Sequence, residues 1–154
     1  MSAELFKDST IAFVGAGAMG TAMIAGMLNQ GLLRGDQIIA ADPHAEKGDF
    51  LTRQYGVRFT TDNLEAARHA DILILAVKPQ VMARVLAQLR GRIDGVELVL
   101  SIVASVTMKT IVTQVLNSRV VRSMPNTPAQ IGEGMTVWCA TQEVEEKQRE
   151  QAAT

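Results

Sequence analysis

A chain of 154 residues, 47% of them hydrophobic, amounts to about one domain with material for a buried core. Its formal net charge of -1, with Lys and Arg scattered along the chain, excludes any broad electrostatic attraction to nucleic acid or to an anionic membrane. Cys139 is the single cysteine, so an internal disulfide is excluded and a reducing compartment is indicated.

No apolar run approaches the ~18 residues that a membrane span needs. The opening MSAELFKDS lacks the build of a signal peptide, and a cytoplasmic protein is expected. No metal is expected.

The first element is Thr10–Val14, a short apolar run that suits a strand buried on both faces. Gly15, Ala16, Gly17, Ala18, Met19 and Gly20 follow it and match G-x-G-x-x-G. Met19, Met23, Ile24, Met27 and Leu28 then recur at helical spacing, and Gly31 stands where a helix end favours a left-handed residue. Lying between a strand and a helix, the motif reads as a dinucleotide loop. Gly15 permits the tight turn, Gly17 lets the main chain approach a pyrophosphate, and Gly20 lets the helix pack against the strand. The helix N-terminus would supply free N–H groups to the diphosphate.

Gln37–Ala41 is the second strand, with Asp42 at its end. Asp42 lies 22 positions beyond Gly20, near the ~20-residue offset at which an acid meets the adenosine ribose. The competing reading makes Asp42-Pro43 a plain turn opener. His44 lies in the following loop, on the adenosine side or simply on the surface. Ala45–Tyr55 is a helix closed by Gly56, and Val57–Thr60 is a short third strand. Asp62 and Asn63 are placed to cap a brief helix over Leu64–His69. His69 falls at the base of the sheet and is read as structural.

Ile72–Val77 is an apolar fourth strand, as befits the centre of a parallel sheet. Lys78 stands at its carboxyl end and Pro79 suits the first position of the next helix, which ends at Gly91. Leu98–Val103 is the fifth strand, and SIVASVT forms the loop that leaves it. A helix over Met108–Leu116 and a sixth strand over Arg119–Met124 follow. Pro125 and Pro128 hold the next stretch extended or turned. Met135–Ala140 is a seventh strand, and Cys139 within it is read as a buried small hydrophobe. The last segment, helical from Glu143, is polar on nearly every side and reads as frayed or as the stump of a longer protein.

Alternating strands and helices predict a single Rossmann-like α/β domain over residues 1–154. The expected core is a doubly wound, mostly parallel sheet with helices on both faces. The loops leaving the strands' carboxyl ends should then converge on one edge.

The combination GAGAMG, AVKPQ, SIVASVT and VVRSMPNTPAQIGEGMT resembles the N-terminal domain of pyrroline-5-carboxylate reductase, over about residues 8–142. The R-S-M-P-N-T-P block is its specific part. The resemblance implies NAD(P)H-dependent reduction of 1-pyrroline-5-carboxylate to L-proline, with NADPH preferred and NADH possible. It implies that Gly15–Gly20 hold the pyrophosphate, that Asp42 and His44 meet the adenosine ribose or its phosphate, and that Asn63 reaches the adenosine. It places Ala76, Val77, Lys78 and Pro79, with Ile102, Val103 and Ala104, along the nicotinamide half. Met124, Pro125, Asn126, Thr127 and Pro128 would border nicotinamide and substrate.

The family also has a C-terminal helical domain that dimerises and completes the substrate pocket. The catalytic groups are therefore expected outside these residues, the whole protein is expected to be a homo-oligomer, and this chain alone is expected to bind cofactor without turnover. Ser105 departs from the family, which usually carries glycine there. Two other readings remain: the first domain of a β-hydroxyacid dehydrogenase-like reductase, or a non-catalytic nucleotide-sensing module.

Overall fold

The computed structural model of the protein describes residues 2–125 and 136–154. Seven strands are β1 (Ile11–Val14), β2 (Ile38–Ala41), β3 (Arg58–Thr60), β4 (Ile72–Leu75), β5 (Leu98–Ser101), β6 (Val120–Pro125) and β7 (Thr136–Ala140). They form one sheet in the order β3-β2-β1-β4-β5-β6-β7. All neighbours are parallel except β6 and β7, where Arg122 pairs with Cys139 in antiparallel register. Uniform alternation of strand and helix therefore stops at β6. The ten residues between Pro125 and Thr136 are fewer than the dozen or so a parallel crossover requires.

Among the described residues six α-helices surround the sheet: α1 (Ala18–Asn29), α2 (Ala45–Tyr55), α3 (Asn63–Arg68), α4 (Pro79–Leu89), α5 (Met108–Val115) and α6 (Glu146–Ala153). Three of the starts have a local cause. Asp62 caps α3 by accepting from the N–H groups of Leu64 and Glu65, Pro79 opens α4, and the Thr107 hydroxyl accepts from Thr110 N–H at the start of α5. Gly56 ends α2 with φ of 68°, in the left-handed region.

Successive strand residues point to opposite faces, so the continuous apolar runs divide into two cores. Ala12, Val14, Leu73, Leu75 and Val99 face α3, α4 and α5 with Ala66, Leu86 and Ile111. Ile11, Phe13, Ile72, Ile74 and Leu98 face the other way, with Ile24 of α1, Leu51 of α2 and Phe6. Helices thus cover both faces, as the sequence pattern predicts.

Two expectations need correction. Cys139 is exposed rather than buried. It sits on β7, an edge strand, with its thiol 3.8 Å from the Met108 sulfur. The polar last segment is not frayed, because α6 docks through polar side chains instead of an apolar stripe. Gln148 is buried and donates to Glu97 O at 2.9 Å, and Gln151 donates to Leu5 O at 2.7 Å. A 3-10 turn at Ser2–Phe6, with no counterpart in the sequence reading, is tied in from the other side. The Gln37 amide donates to the carbonyls of Phe6, Lys7 and Ser9.

Leu73 lies in the middle of the central strand β4 and is wholly buried. Leu73→Ala should destabilise the domain by about 2–5 kcal/mol, the range for truncating a core leucine. Urea unfolding followed by circular dichroism would register this as a lower midpoint at unchanged slope.

Candidate functional site

The strand order reverses between β1 and β4, so the chain leaves these neighbours in opposite directions. A crevice opens at such a switch point, outside the carboxyl ends of the strands. The glycine loop leaves β1 there, Asp42 ends β2, Ala76–Pro79 follow β4, and Ile102–Ala104 follow β5.

The glycine loop is fixed by contacts on three sides. Gly15 N–H donates to Ala41 O at 2.8 Å, which ties the loop to β2. Gly15 itself has φ of 105°, and a Cβ there would stand 2.6 Å from Ala76 O. Only glycine satisfies both the dihedral and the contact. A Cβ on Gly20 would stand 2.6 Å from Gly15 O, so α1 closes directly onto the loop.

Gly17 differs from both. Its backbone is extended, with φ of -76°, which any residue adopts, and a Cβ there would meet nothing within 4 Å. Neither conformation nor packing inside the chain accounts for glycine at this point. Gly17 is also the N-cap of α1, and no side chain caps that helix. The uncapped first-turn N–H groups and the open space beside them form a cradle for an anionic group.

Asp42 is buried at the end of β2, and four donors converge on its carboxylate. Oδ2 accepts from Ala16 N–H at 3.0 Å and from Lys47 Nζ at 3.3 Å. Oδ1 accepts from His44 N–H at 3.0 Å and lies 2.8 Å from His44 Nδ1. Burial alone would raise this carboxyl. The hydrogen bonds from the His44 and Ala16 main chain, then from the His44 ring and Lys47, outweigh it and hold Asp42 below its ordinary 3.8.

The remaining sequence-chosen residues fall as follows. Asn63 is the first residue of α3, and its amide donates to Gln88 Oε1, near the end of α4, at 3.0 Å. Ala76 and Val77 lie beyond the end of β4 and pack into opposite cores. Lys78 is the exposed N-cap of α4, and Pro79 is its first residue. Ile102 N–H donates to Leu75 O at 3.1 Å, which locks the β4 and β5 loops together. Val103 is buried in the core, so it reaches the rim only through its main chain, whereas Ala104 is exposed. Ser105 takes φ of 66°, the left-handed region where a side chain is strained. Met124 is 41% exposed near the end of β6, and Pro125 ends that strand. Asn126, Thr127 and Pro128 lie outside the described residues.

The sequence sets Lys47, with His44 and Arg53, near enough to Asp42 to offset its repulsion of a 2′-phosphate, but it shows neither the Lys47 bond to the Asp42 carboxylate nor the bond from Ala16 to it. The i, i+5 spacing of Asp42 and Lys47 across a turn into a helix was the available signal for the first. The second joins residues 26 positions apart and leaves no local trace.

A seven-stranded Rossmann-like sheet with a glycine loop at its switch point defines a dinucleotide-binding oxidoreductase domain. The chain belongs to the family described as NADP oxidoreductase coenzyme F420-dependent, whose model matches residues 10–105. It is 40% identical over 138 residues to a pyrroline-5-carboxylate reductase of Synechocystis sp., covering 90% of this chain and 51% of that protein. A solved pyrroline-5-carboxylate reductase of Coxiella burnetii superposes with a TM-score of 0.89 at 32% identity, over 94% of this chain and 54% of that one. The Plasmodium falciparum pyrroline carboxylate reductase, solved with NADP bound, gives a TM-score of 0.81 at 25% identity, over 94% of this chain and 53% of that one. The chain thus spans about half the length of the relatives it matches. Among the described residues no helix is long and apolar enough to cross a membrane.

The space at Gly17 makes a direct prediction. Gly17→Val should fold with a near-parental melting temperature, since its Cβ meets no protein atom, yet should lose dinucleotide binding in calorimetric titration. Asp42 makes another. A carboxyl depressed in the folded state stabilises fully above the ordinary carboxylate value and ceases to do so as pH falls through the lower folded value. Over roughly pH 5 to pH 2, Asp42→Asn should therefore lose less stability than the parent in thermal melts.

Proposed function

We propose that this chain is the NAD(P)H-binding domain of a pyrroline-5-carboxylate reductase, which reduces the ring C=N of 1-pyrroline-5-carboxylate to give L-proline. NADPH is the preferred cofactor and NADH is accepted. The observation that carries the cofactor assignment is the space a Cβ on Gly17 would fill, over the uncapped start of α1. The likeness to pyrroline-5-carboxylate reductases along nearly the whole chain supports the substrate.

In this reading the main chain of Gly15–Gly20 binds the diphosphate, with Ala18 and Met19 contributing N–H groups to it while Ala16 N–H stays on Asp42 and holds the loop in place. The adenosine half lies over the end of β2, beside Asp42, His44 and Asn63. The nicotinamide half lies along Ala76, Val77, Lys78 and Pro79, opposite Ile102, Val103 and Ala104. Met124 and Pro125, with Asn126, Thr127 and Pro128, border nicotinamide and substrate. When bound, the cofactor supplies the hydride. The chain's own residues fix its position and shield one side of it from water, which is where proximity contributes, up to ~7–11 kcal/mol in well-oriented cases. The whole reductase acts in the cytoplasm as a homo-oligomer, which supplies the rest of the substrate pocket and the catalytic groups.

Titration calorimetry with NADPH and NADH tests the cofactor assignment, and saturable binding of NADPH, tighter than that of NADH, is expected. For the substrate, the chain is incubated with deuterated NADPH and the imine, and proline is analysed by mass spectrometry. From this chain alone no transfer above a protein-free control is expected, and transfer of one deuterium to C5 of proline at ordinary enzyme rates would show that the chain builds the pocket by itself. Absence of binding by folded protein would overturn the cofactor assignment, and label found elsewhere on the ring would overturn the assigned reaction.

A further inference from the structure

We infer that Asp42 is a positioning residue for the glycine loop, its carboxylate holding Ala16 N–H on the inner side while Lys47 and His44 close its outer side, so that a bound dinucleotide meets two basic side chains instead of the acid. The inference rests on the dinucleotide reading above.

An acid at the end of the second strand ordinarily accepts from the adenosine ribose 2′-hydroxyl and repels a 2′-phosphate. Here that role is blocked by occupancy. A carboxylate offers about four acceptor positions, and four donors fill them. A ribose hydroxyl would have to displace one of those donors to reach either oxygen. The Asp42 side chain is only 7% exposed, against 39% for Lys47 and 60% for His44. The accessible surface at this point is therefore basic, although the residue at the signature position is acidic.

The inner bond carries the positioning role. Ala16 lies between the glycine that turns the chain and the glycine that leaves room for the ligand. Its N–H is buried, and Asp42 is its acceptor. Together with Gly15 N–H on Ala41 O, this gives the loop two adjacent anchors on β2. A charged acceptor makes the second anchor the stronger kind of hydrogen bond. Loss of that anchor loosens the loop that receives the diphosphate, a part common to NADH and NADPH, so both cofactors suffer alike.

Lys47 Nζ carries three donors and uses one of them on Asp42 among the described residues. The others remain for a phosphate monoester. Lysine here both masks the acid and offers charge to a 2′-phosphate. Its removal uncovers Oδ2 for a 2′-hydroxyl and leaves a bare acid facing a phosphate.

The experiment uses the 154-residue chain and two variants, with folding checked by circular dichroism. Asp42→Asn should weaken NADH and NADPH by a common factor of about ten, with their ratio unchanged within about twofold. In the same variant without ligand, hydrogen exchange at the Ala16 amide should accelerate by about tenfold. Lys47→Met keeps the inner bond, so it should leave Ala16 exchange unchanged and shift the NADPH-to-NADH affinity ratio about tenfold toward NADH. If Asp42→Asn weakens NADH alone and improves NADPH, Asp42 is a ribose ligand and the proposal is overturned. Unchanged Ala16 exchange in Asp42→Asn, or an unchanged ratio in Lys47→Met, also overturns it. Failure of the parent chain to bind either cofactor would count against the dinucleotide reading, while Ala16 exchange would still decide the tether.

Discussion

Between the end of β1 and the end of β4 there is no room for a side chain. The Gly15 main chain lies so close to the Ala76 carbonyl that even a methyl group would collide with it. The rest of the cofactor edge depends on that approach. It allows the chain to reverse tightly off β1 and starts α1 directly over the switch point. It also brings Gly20 down onto the Gly15 carbonyl. Gly15 and Gly20 thus serve the protein's own packing, and Gly17 alone is left without an internal reason. The distinction separates structural from ligand-directed glycine within one six-residue motif.

The arrangement of the sheet was legible because burial on two faces leaves a simple signature. Ile72–Val77 and Leu98–Val103 read as strands since both faces of each are apolar apart from Ser101. Their ends were less legible, because apolarity reports burial and not extended hydrogen bonding. Ala76 and Val77 continue the apolar run of β4 while belonging to the turn against Gly15. Ile102 and Val103 continue that of β5, but the Ser101 hydroxyl accepts from Val103 N–H at 3.1 Å and turns the chain. The last helix misled for the opposite reason. Its anchoring comes from glutamine amides on main-chain carbonyls, which a hydrophobicity pattern does not register.

For the site, the residues that act through the main chain were legible and the polar cluster was only half so. A glycine motif encodes conformation locally, and the flanking strand and helix give it meaning. Asp42 was found by its offset, but the offset does not reveal what the carboxylate touches. That depends on which backbone N–H the β1–β2 register brings beside it, and on Lys47 returning one turn into α2. Ser105 shows the same limit. Its left-handed conformation belongs to the loop as built, and the sequence records only that a serine tolerates it.

The hydrogen bond from Gln151 to Leu5 joins residues 146 positions apart, and the bonds from Gln37 to Phe6, Lys7 and Ser9 hold the same early segment from within. This has a consequence in time. The segment around Leu5 leaves the ribosome well before its partner on α6, which follows only after the seven described strands have been made. Closing so long a loop is entropically costly, and contacts of this separation form late in folding. During synthesis the sheet face beneath α6, with Ile72, Ile74, Leu98 and Leu100, therefore lacks that cover until α6 has been made. A nascent chain whose α6 has not yet emerged from the ribosome would expose that face to chaperones or to its neighbours, whereas one whose α6 has emerged would not.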